Sequence, residues 1–180
     1  MNAKKINNNF EPYKRVVKFA GSAIIVLLEL AAYYYVWMNY YNRNMTVAFW
    51  RRGNWLIAGE YLILSLVLHR LYGGLKVGIY KYWALVYSHM LSIVGVNAFS
   101  YVQVVLFDKK MHNPAALLGL TALDFVMVLL WALAFKKIYA AMFPKRRLLL
   151  IYGKKPMFHL VNRIDTRDDK YEIAENISID

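Results

Sequence analysis

The side chains of this sequence that could do chemistry lie inside long apolar stretches. Glu29 and Asp124 are each the single acidic residue of such a stretch, and His89 and Asn97 lie in another that carries no formal charge. Ionisable groups are costly in an apolar interior and often mark proton or cation sites. The sequence therefore predicts four polar candidates for function: Glu29, Asp124, His89 and Asn97.

The placement of these candidates allows three interpretations. Glu29 and Asp124 are expected at nearly the same depth, about 15 Å into their helices, where two carboxylates could share a proton or hold a cation. On the third stretch the polar residues fall in one helical sector of about 140°, which must face other helices or water. They are His89, Ser92, Asn97, Ser100 and Gln103. Interhelical hydrogen bonding, a transport or relay role and contacts with lipid head groups all remain open.

A second candidate is the turn Gly153, Lys154 and Lys155, which follows a predicted strand. Backbone N–H groups and two lysines could bind a phosphate there. Only the first glycine of a dinucleotide fingerprint is present, so a simple strand-ending turn in a basic region explains the same residues.

Other motifs for metal binding or catalysis are not found. The histidines are scattered along the chain without the spacing of a zinc motif, and there is no cysteine. Asp165, Asp168 and Asp169 could bind Mg²⁺ or form a solvated acidic loop. We therefore expect no catalytic residue, no cofactor and no metal site in this chain.

The composition predicts an all-α membrane protein. Of 180 residues, 59% are apolar and 19% charged, against about 45–50% and about 25% in soluble domains. A membrane span needs roughly 20 apolar helical residues. We predict a cytoplasmic segment 1–15 and a four-helix transmembrane domain 16–143. Its helices are expected at about 19–41, 55–71, 82–107 and 114–135, the last extended to 142.

Charge sets the expected orientation and partners. The net charge is +12, and thirteen Lys and Arg flank the helices on the side of the N-terminus against five on the other side. This bias favours both termini in the cytoplasm. The basic residues flank the membrane segments without interleaved aromatic residues, so we expect the lipid bilayer as a partner and no nucleic acid.

Tyrosines and tryptophans crowd the end of the first predicted helix. Amphipathic rings of this kind are typical of the membrane–water interface. A buried aromatic core is the alternative for the inner three, Tyr33, Tyr34 and Tyr35.

Residues 144–180 read as the start of a different domain. Pro144 ends the fourth helix, and Leu148–Tyr152 and Tyr171–Ile173 read as strands around a helix at Met157–Ile164. This order is the opening of a βαβ unit, so we predict a truncated Rossmann-like α/β domain.

Several short motifs occur in a telling order. They are Leu71-Tyr72-Gly73-Gly74 with Gly78, then Asn97 and Tyr101, then Pro144-Lys145-Arg146-Arg147 before Leu148 to Gly153 and Tyr171-Glu172-Ile173. In this order residues 16–180 resemble the N-terminal membrane module of bacterial polyprenyl-phosphate sugar-1-phosphate transferases. The resemblance implies an inner-membrane protein of exopolysaccharide or O-antigen synthesis, with undecaprenyl phosphate as a partner.

The resemblance does not extend to the catalytic machinery of that family. Its adjacent Asp-Glu pair, whose aspartate attacks the nucleotide-sugar phosphate, is absent from this sequence. We therefore expect a membrane-anchoring module that is inactive alone, with Mg²⁺ implied only for the full-length enzyme. The alternative is a small four-helix transporter or lipid-linked-sugar flippase that uses Glu29, Asp124 and His89. A scaffold that forms a homo-oligomer is a third hypothesis.

Overall fold

The structure, a computed structural model, describes residues 11–143, 146–152 and 171–178. Its main elements are four long helices: α1 (Lys14–Val36), α2 (Arg51–Tyr72), α3 (Tyr82–Asp108) and α4 (Ala115–Met142). Helix α1 continues through a π turn at Trp37–Tyr41 and a last α turn at Asn42–Asn44. All four are long and apolar enough to cross a membrane. The prediction of a multi-pass protein with four membrane-spanning helices is confirmed.

The ends of the helices follow from local chemistry. The Asn113 side chain accepts a hydrogen bond from the backbone N–H of Ala115 at 2.9 Å, which caps α4. Helix α2 ends at Gly73, whose φ of 85° is left-handed. Such a residue satisfies the last carbonyls of a helix without a Cβ penalty. A Cβ on Gly73 would also lie 2.8 Å from the ring of Tyr80. The turn therefore requires glycine both for its backbone conformation and for its contact with Tyr80.

The helices enclose two apolar clusters. The first contains the buried rings of Tyr33, Trp37 and Tyr41, and Tyr33 stacks on Tyr61 with ring centroids 3.9 Å apart. These three residues are four apart, and the wider π turn at Trp37–Tyr41 limits their drift around the helix. The second cluster is aliphatic and lies nearer the start of α1. Its buried members are Ile25, Val26, Val86, Ile93, Val128 and Ala132.

The expectation of an interfacial ring belt is therefore wrong for part of the first helix. Tyr33 and Trp37 are buried, whereas Tyr35 is exposed. The reason is helical periodicity, because neighbouring rings in one aromatic run point to opposite sides of the helix.

The strands belong to a second compact unit, which is separate from the bundle of Tyr13–Lys136. Strand β1 (Arg146–Tyr152) pairs in parallel with strand β2 (Tyr171–Ser178), with an irregularity between Leu148 and Leu149. Both strands are longer than expected. A single strand pair does not define a Rossmann-like domain, and that part of the fold stays a prediction. The expected helix at Met157–Ile164 lies outside the described residues.

Candidate functional site

Three ionisable side chains from three helices meet in the bundle, and we call them the histidine centre: Glu29, His69 and His89. His69 Nε2 lies 2.9 Å from His89 Nδ1. The Glu29 carboxylate lies 3.4 Å from His69 Nε2 and 3.5 Å from His89 Nδ1. All three side chains are at most 1% exposed. The centre is therefore a closed triangle of two imidazole nitrogens and one carboxylate.

Each of the three residues lies on the buried face of its own helix. Glu29 follows Ile25 and precedes Tyr33 at spacings of four on α1, and all three are buried. On α2, Tyr61, Ser65 and His69 are buried at the same spacing. His89 lies seven residues, about 10 Å, after the start of α3. The centre therefore lies within the membrane-spanning part, towards the end of the bundle where α2 ends.

The surroundings of the centre hold the two rings in place. His69 Nδ1 donates a hydrogen bond to the carbonyl oxygen of Ser65 at 2.8 Å, because a carbonyl can only accept. The ring of Trp131 lies 5.5 Å from that of His89, between centroids. A Cβ on Gly74 would lie 2.7 Å from Cδ2 of His69, so the loop after α2 packs directly on the ring. Neither ring can turn without moving its neighbours.

The centre also leaves hydrogen-bonding capacity unused. Within residues 11–143 and the two described strands, Glu29 Oε1 and His89 Nε2 are buried without a hydrogen-bond partner. Buried polar atoms are nearly always satisfied, so orphaned atoms at one place call for an explanation. These two atoms belong to a cluster of imidazole and carboxylate groups, which are common ligands of metal cations.

The histidines are scattered along the sequence, but the structure brings His69 and His89 into contact with Glu29, a clustering that the sequence analysis did not expect. His69 is not among the four polar candidates that the sequence predicts. The signal that could have found it is the i, i+4 stripe of polar residues on α2, Tyr61, Ser65 and His69. The partner on α3 could not be identified, because spacing along one helix says nothing about the rotation of the next.

A second polar cluster, which we call the Asn97 hub, joins α2, α3 and α4. The Asn97 side chain accepts a hydrogen bond from the Tyr61 hydroxyl at 3.2 Å. Its Nδ2 donates to Thr121 Oγ1 at 2.9 Å and to Asp124 Oδ2 at 3.4 Å. The hub has the pattern of interhelical hydrogen bonding.

The idea that Glu29 and Asp124 share a proton is wrong in this structure. The hydrogen-bond partner of Asp124 is Asn97, and the ion-pair partners of Glu29 are the two histidines. Depth along the helices can be predicted from the sequence, but the rotation of each helix about its axis decides its contacts. That rotation gives the two carboxylates different partners. The two still interact electrostatically.

The polar sector of α3 faces inward as expected, since His89, Ser92, Asn97 and Ser100 are all buried. Gln103 is partly buried and donates to Glu60 of α2. A further carboxylate–imidazole pair lies at the end of α3, where His112 Nε2 and Asp108 Oδ2 are 2.7 Å apart. This pair is built from residues four apart in sequence, and the His112 ring also lies edge-on to Tyr41 in the π turn of α1, with centroids 6.2 Å apart.

An apolar groove of about 430 Å³ opens beside α1, α2 and the loop after α2. Leu62, Leu66 and Leu75 form part of its wall, and Lys18 lies on its lining. The groove lies near the start of α1, at the same end of the bundle as the histidine centre.

Two sequence candidates lie outside the described residues. They are the turn Gly153, Lys154 and Lys155 and the acidic group Asp165, Asp168 and Asp169. A comparison of the chain with protein family models, curated proteins and solved structures finds no match.

Proposed function

We propose that this chain is the membrane-anchoring and assembly module of a sugar-1-phosphate transferase. The enzyme would transfer hexose-1-phosphate from a nucleotide sugar to undecaprenyl phosphate and so start exopolysaccharide or O-antigen synthesis. In this proposal the membrane is the bacterial inner membrane and both termini are cytoplasmic. The catalytic aspartate and its Mg²⁺ belong to a domain outside these 180 residues.

The observation that carries the proposal is the parallel strand pair that follows the fourth helix. Only three residues separate Met142 from Arg146, the first residue of β1. Parallel strands need a crossover connection of a dozen or more residues, and they occur almost only in α/β domains. The 18 residues between β1 and β2 meet this need. An α/β domain directly after the last span suits a membrane anchor better than a minimal transporter.

The apolar groove supports the same proposal. Its wall is almost wholly aliphatic, and Lys18 adds a cation at the end of α1 where the first span begins. A polyprenyl phosphate has a long apolar chain and an anionic head group, which match these two parts of the groove. Ala23 lines the groove, whereas its neighbour Ile24 is exposed.

Reconstitution into lipid nanodiscs tests the proposal. The chain alone, given nucleotide sugar and undecaprenyl phosphate, should form no lipid-linked sugar. Addition of a separately expressed catalytic domain of the resembled family should raise product formation above that in empty nanodiscs. Ala23→Trp, which fills the groove, should remove this gain, and Ile24→Trp is the matched control that should keep it. Product from the chain alone, or no gain with the catalytic domain, would contradict the proposal.

Labelling of single introduced cysteines tests the orientation of the helices in the membrane. The sequence contains no native cysteine, so only the introduced residue can react. Asn44→Cys lies at the end of the first span and Lys76→Cys in the loop after α2. A membrane-impermeant maleimide should label the first variant in intact cells and the second only after the inner membrane is permeabilised. The reverse pattern would place the termini outside.

A small transporter or lipid-linked-sugar flippase is the second candidate, because the histidine centre is an ionisable group buried among membrane helices. Proteoliposomes with entrapped fluorescent pH indicator or labelled lipid-linked sugar distinguish the two functions. A transporter predicts movement that Glu29→Gln abolishes. The membrane module predicts no movement with either protein.

A further inference from the structure

We propose that Glu29, His69 and His89 bind a divalent transition-metal cation of the zinc type within the helix bundle. The site goes beyond the proposed function and does not depend on it. No sequence motif points to it, because its ligands come from three different helices.

The spacing of the ligand atoms fits a tetrahedral ion. Zinc binds imidazole nitrogen and carboxylate oxygen at about 2.0–2.2 Å, which puts neighbouring ligand atoms about 3.3–3.5 Å apart. His69 Nε2 and His89 Nδ1 are 2.9 Å apart, and the Glu29 carboxylate approaches the first at 3.4 Å through Oε2 and the second at 3.5 Å through Oε1. Two imidazoles and one carboxylate also form a known ligand set for zinc, in which a fourth position is left for water or another ligand.

The partner of His69 prepares it for this role. Because Nδ1 donates its N–H to the Ser65 carbonyl, Nε2 of the neutral ring carries a lone pair, which accepts the hydrogen bond of His89 Nδ1 in the metal-free chain. A metal ion would take the place of that His89 proton. Histidines that bind metals almost always donate their other N–H to a carbonyl or carboxylate in this way. Gly74 and Trp131 pack against the two rings, so the ligands are held before a metal binds.

The charge of the centre points in the same direction. Glu29 is 1% exposed, and its ion-pair partners in the described part of the chain are the two histidines, with no lysine or arginine among them. A buried carboxylate needs a compensating charge. A divalent cation would compensate it and would also engage the orphaned Glu29 Oε1.

The ligand types select the metal class. Mg²⁺ and Ca²⁺ prefer oxygen ligands, whereas imidazole suits zinc and its transition-metal neighbours. Asp124 Oδ1 is a further buried atom without a hydrogen-bond partner and interacts electrostatically with Glu29.

The test uses the full chain in nanodiscs, stripped of metal with a chelator and titrated with Zn²⁺ by calorimetry. We expect one ion per chain, no displacement by excess Mg²⁺, and the intense visible absorption of tetrahedral Co²⁺ when cobalt replaces zinc. Glu29→Gln and His89→Gln should each weaken Zn²⁺ binding by more than about 100-fold, because loss of a direct ligand exceeds the 10–100-fold cost of losing its supporting partner.

His112→Gln is the matched control, since His112 pairs with a carboxylate outside the centre. It should retain the affinity of the wild type. X-ray absorption of the zinc-loaded wild-type chain needs no variant and should show two imidazole ligands. The proposal is overturned if Zn²⁺ does not bind at one per chain, if His112→Gln removes binding equally, or if the absorption spectrum lacks imidazole. Nitrogen NMR that finds only a shared proton between His69 and His89 after Zn²⁺ addition would overturn it too.

Discussion

The histidine centre and the Asn97 hub both lie on inner faces of the helices, yet their donors and acceptors are matched in different ways. In the hub, an amide that both donates and accepts is matched by a hydroxyl on α2 and by a hydroxyl and a carboxylate on α4. In the centre, the Glu29 carboxylate and one ring nitrogen from each of His69 and His89 converge on one small volume, and Glu29 Oε1 and His89 Nε2 are left without a partner among the described residues. In the hub the amide of Asn97 is fully matched and only Asp124 Oδ1 lacks a partner, whereas in the centre a cation would engage the unpartnered Glu29 Oε1.

This difference separates structural from functional polar groups in a membrane bundle. Burial alone does not distinguish them, because the members of both clusters come from the inner faces of the helices. The inventory of donors and acceptors does. A group with paired donors and acceptors contributes to stability, and a group with converging acceptors contributes to binding.

The largest expected effect is stabilisation of the chain by zinc. At a free Zn²⁺ concentration about 100-fold above the dissociation constant, the free energy of unfolding should rise by about 2.7 kcal/mol. Asn97→Ala should gain as much from zinc as the wild type, and Glu29→Gln should gain nothing. Unfolding in detergent, followed by circular dichroism with and without Zn²⁺, measures these gains. An equal gain in Glu29→Gln would remove the distinction between the two clusters.

Gly74→Ala should disturb the centre through packing alone. The new Cβ would lie 2.7 Å from Cδ2 of His69, a contact that the enclosed ring cannot relieve freely. We expect a loss of about 1–3 kcal/mol in the free energy of unfolding, as for other overpacked sites, together with weaker zinc binding.

Gly59→Ala is the control for this change. It lies on α2 and has open space around its Cβ position. Helix propensity should make it up to about 1 kcal/mol more stable than the wild type, with zinc binding unchanged. If Gly74→Ala and Gly59→Ala changed the free energy of unfolding and the zinc affinity equally, the close approach of the loop to His69 would not contribute to either quantity.

Asn97→Ala should lower stability without affecting metal binding. It removes the shared partner of Tyr61, Thr121 and Asp124. Interhelical hydrogen bonds in membranes contribute about 0.6 kcal/mol on average and up to about 1.7, so we expect a loss of about 1–2 kcal/mol in the free energy of unfolding. Thermal unfolding measures the loss. A parallel fall in zinc affinity would show that the hub and the centre act as one unit.

The sequence was sufficient for the membrane helices and for the inward face of α3. Hydropathy and length identify the four spans because the bilayer imposes both. Helical periodicity placed His89 and Asn97 on one buried sector, since that depends on a single helix.

The sequence was not sufficient for the partners of these residues. Whether Glu29 meets Asp124 or His69 depends on the rotation of each helix about its axis, which is set by packing at sites such as Gly95 of α3 against Leu68 of α2. The same limit hid the histidine centre, whose members are 40 and 20 residues apart along the chain. Hydropathy gives depth, and packing decides which residues meet at that depth.

The smallest expected effect concerns the pair of Asp108 and His112. Like the histidine centre, it joins a carboxylate and an imidazole, but its two residues do not come from three different helices. The two residues are four apart at the end of α3, and Asp108 also accepts a hydrogen bond from the backbone of Thr46. Because the Thr46 N–H still bonds to the Asp108 carboxylate and the Gln side chain can donate to it in place of the imidazole, His112→Gln should leave the unfolding temperature and the zinc stoichiometry as in the wild type. A large drop in either quantity would mean that a carboxylate–imidazole pair matters here wherever it lies. Unchanged values would tie the properties of the centre to its burial between three helices.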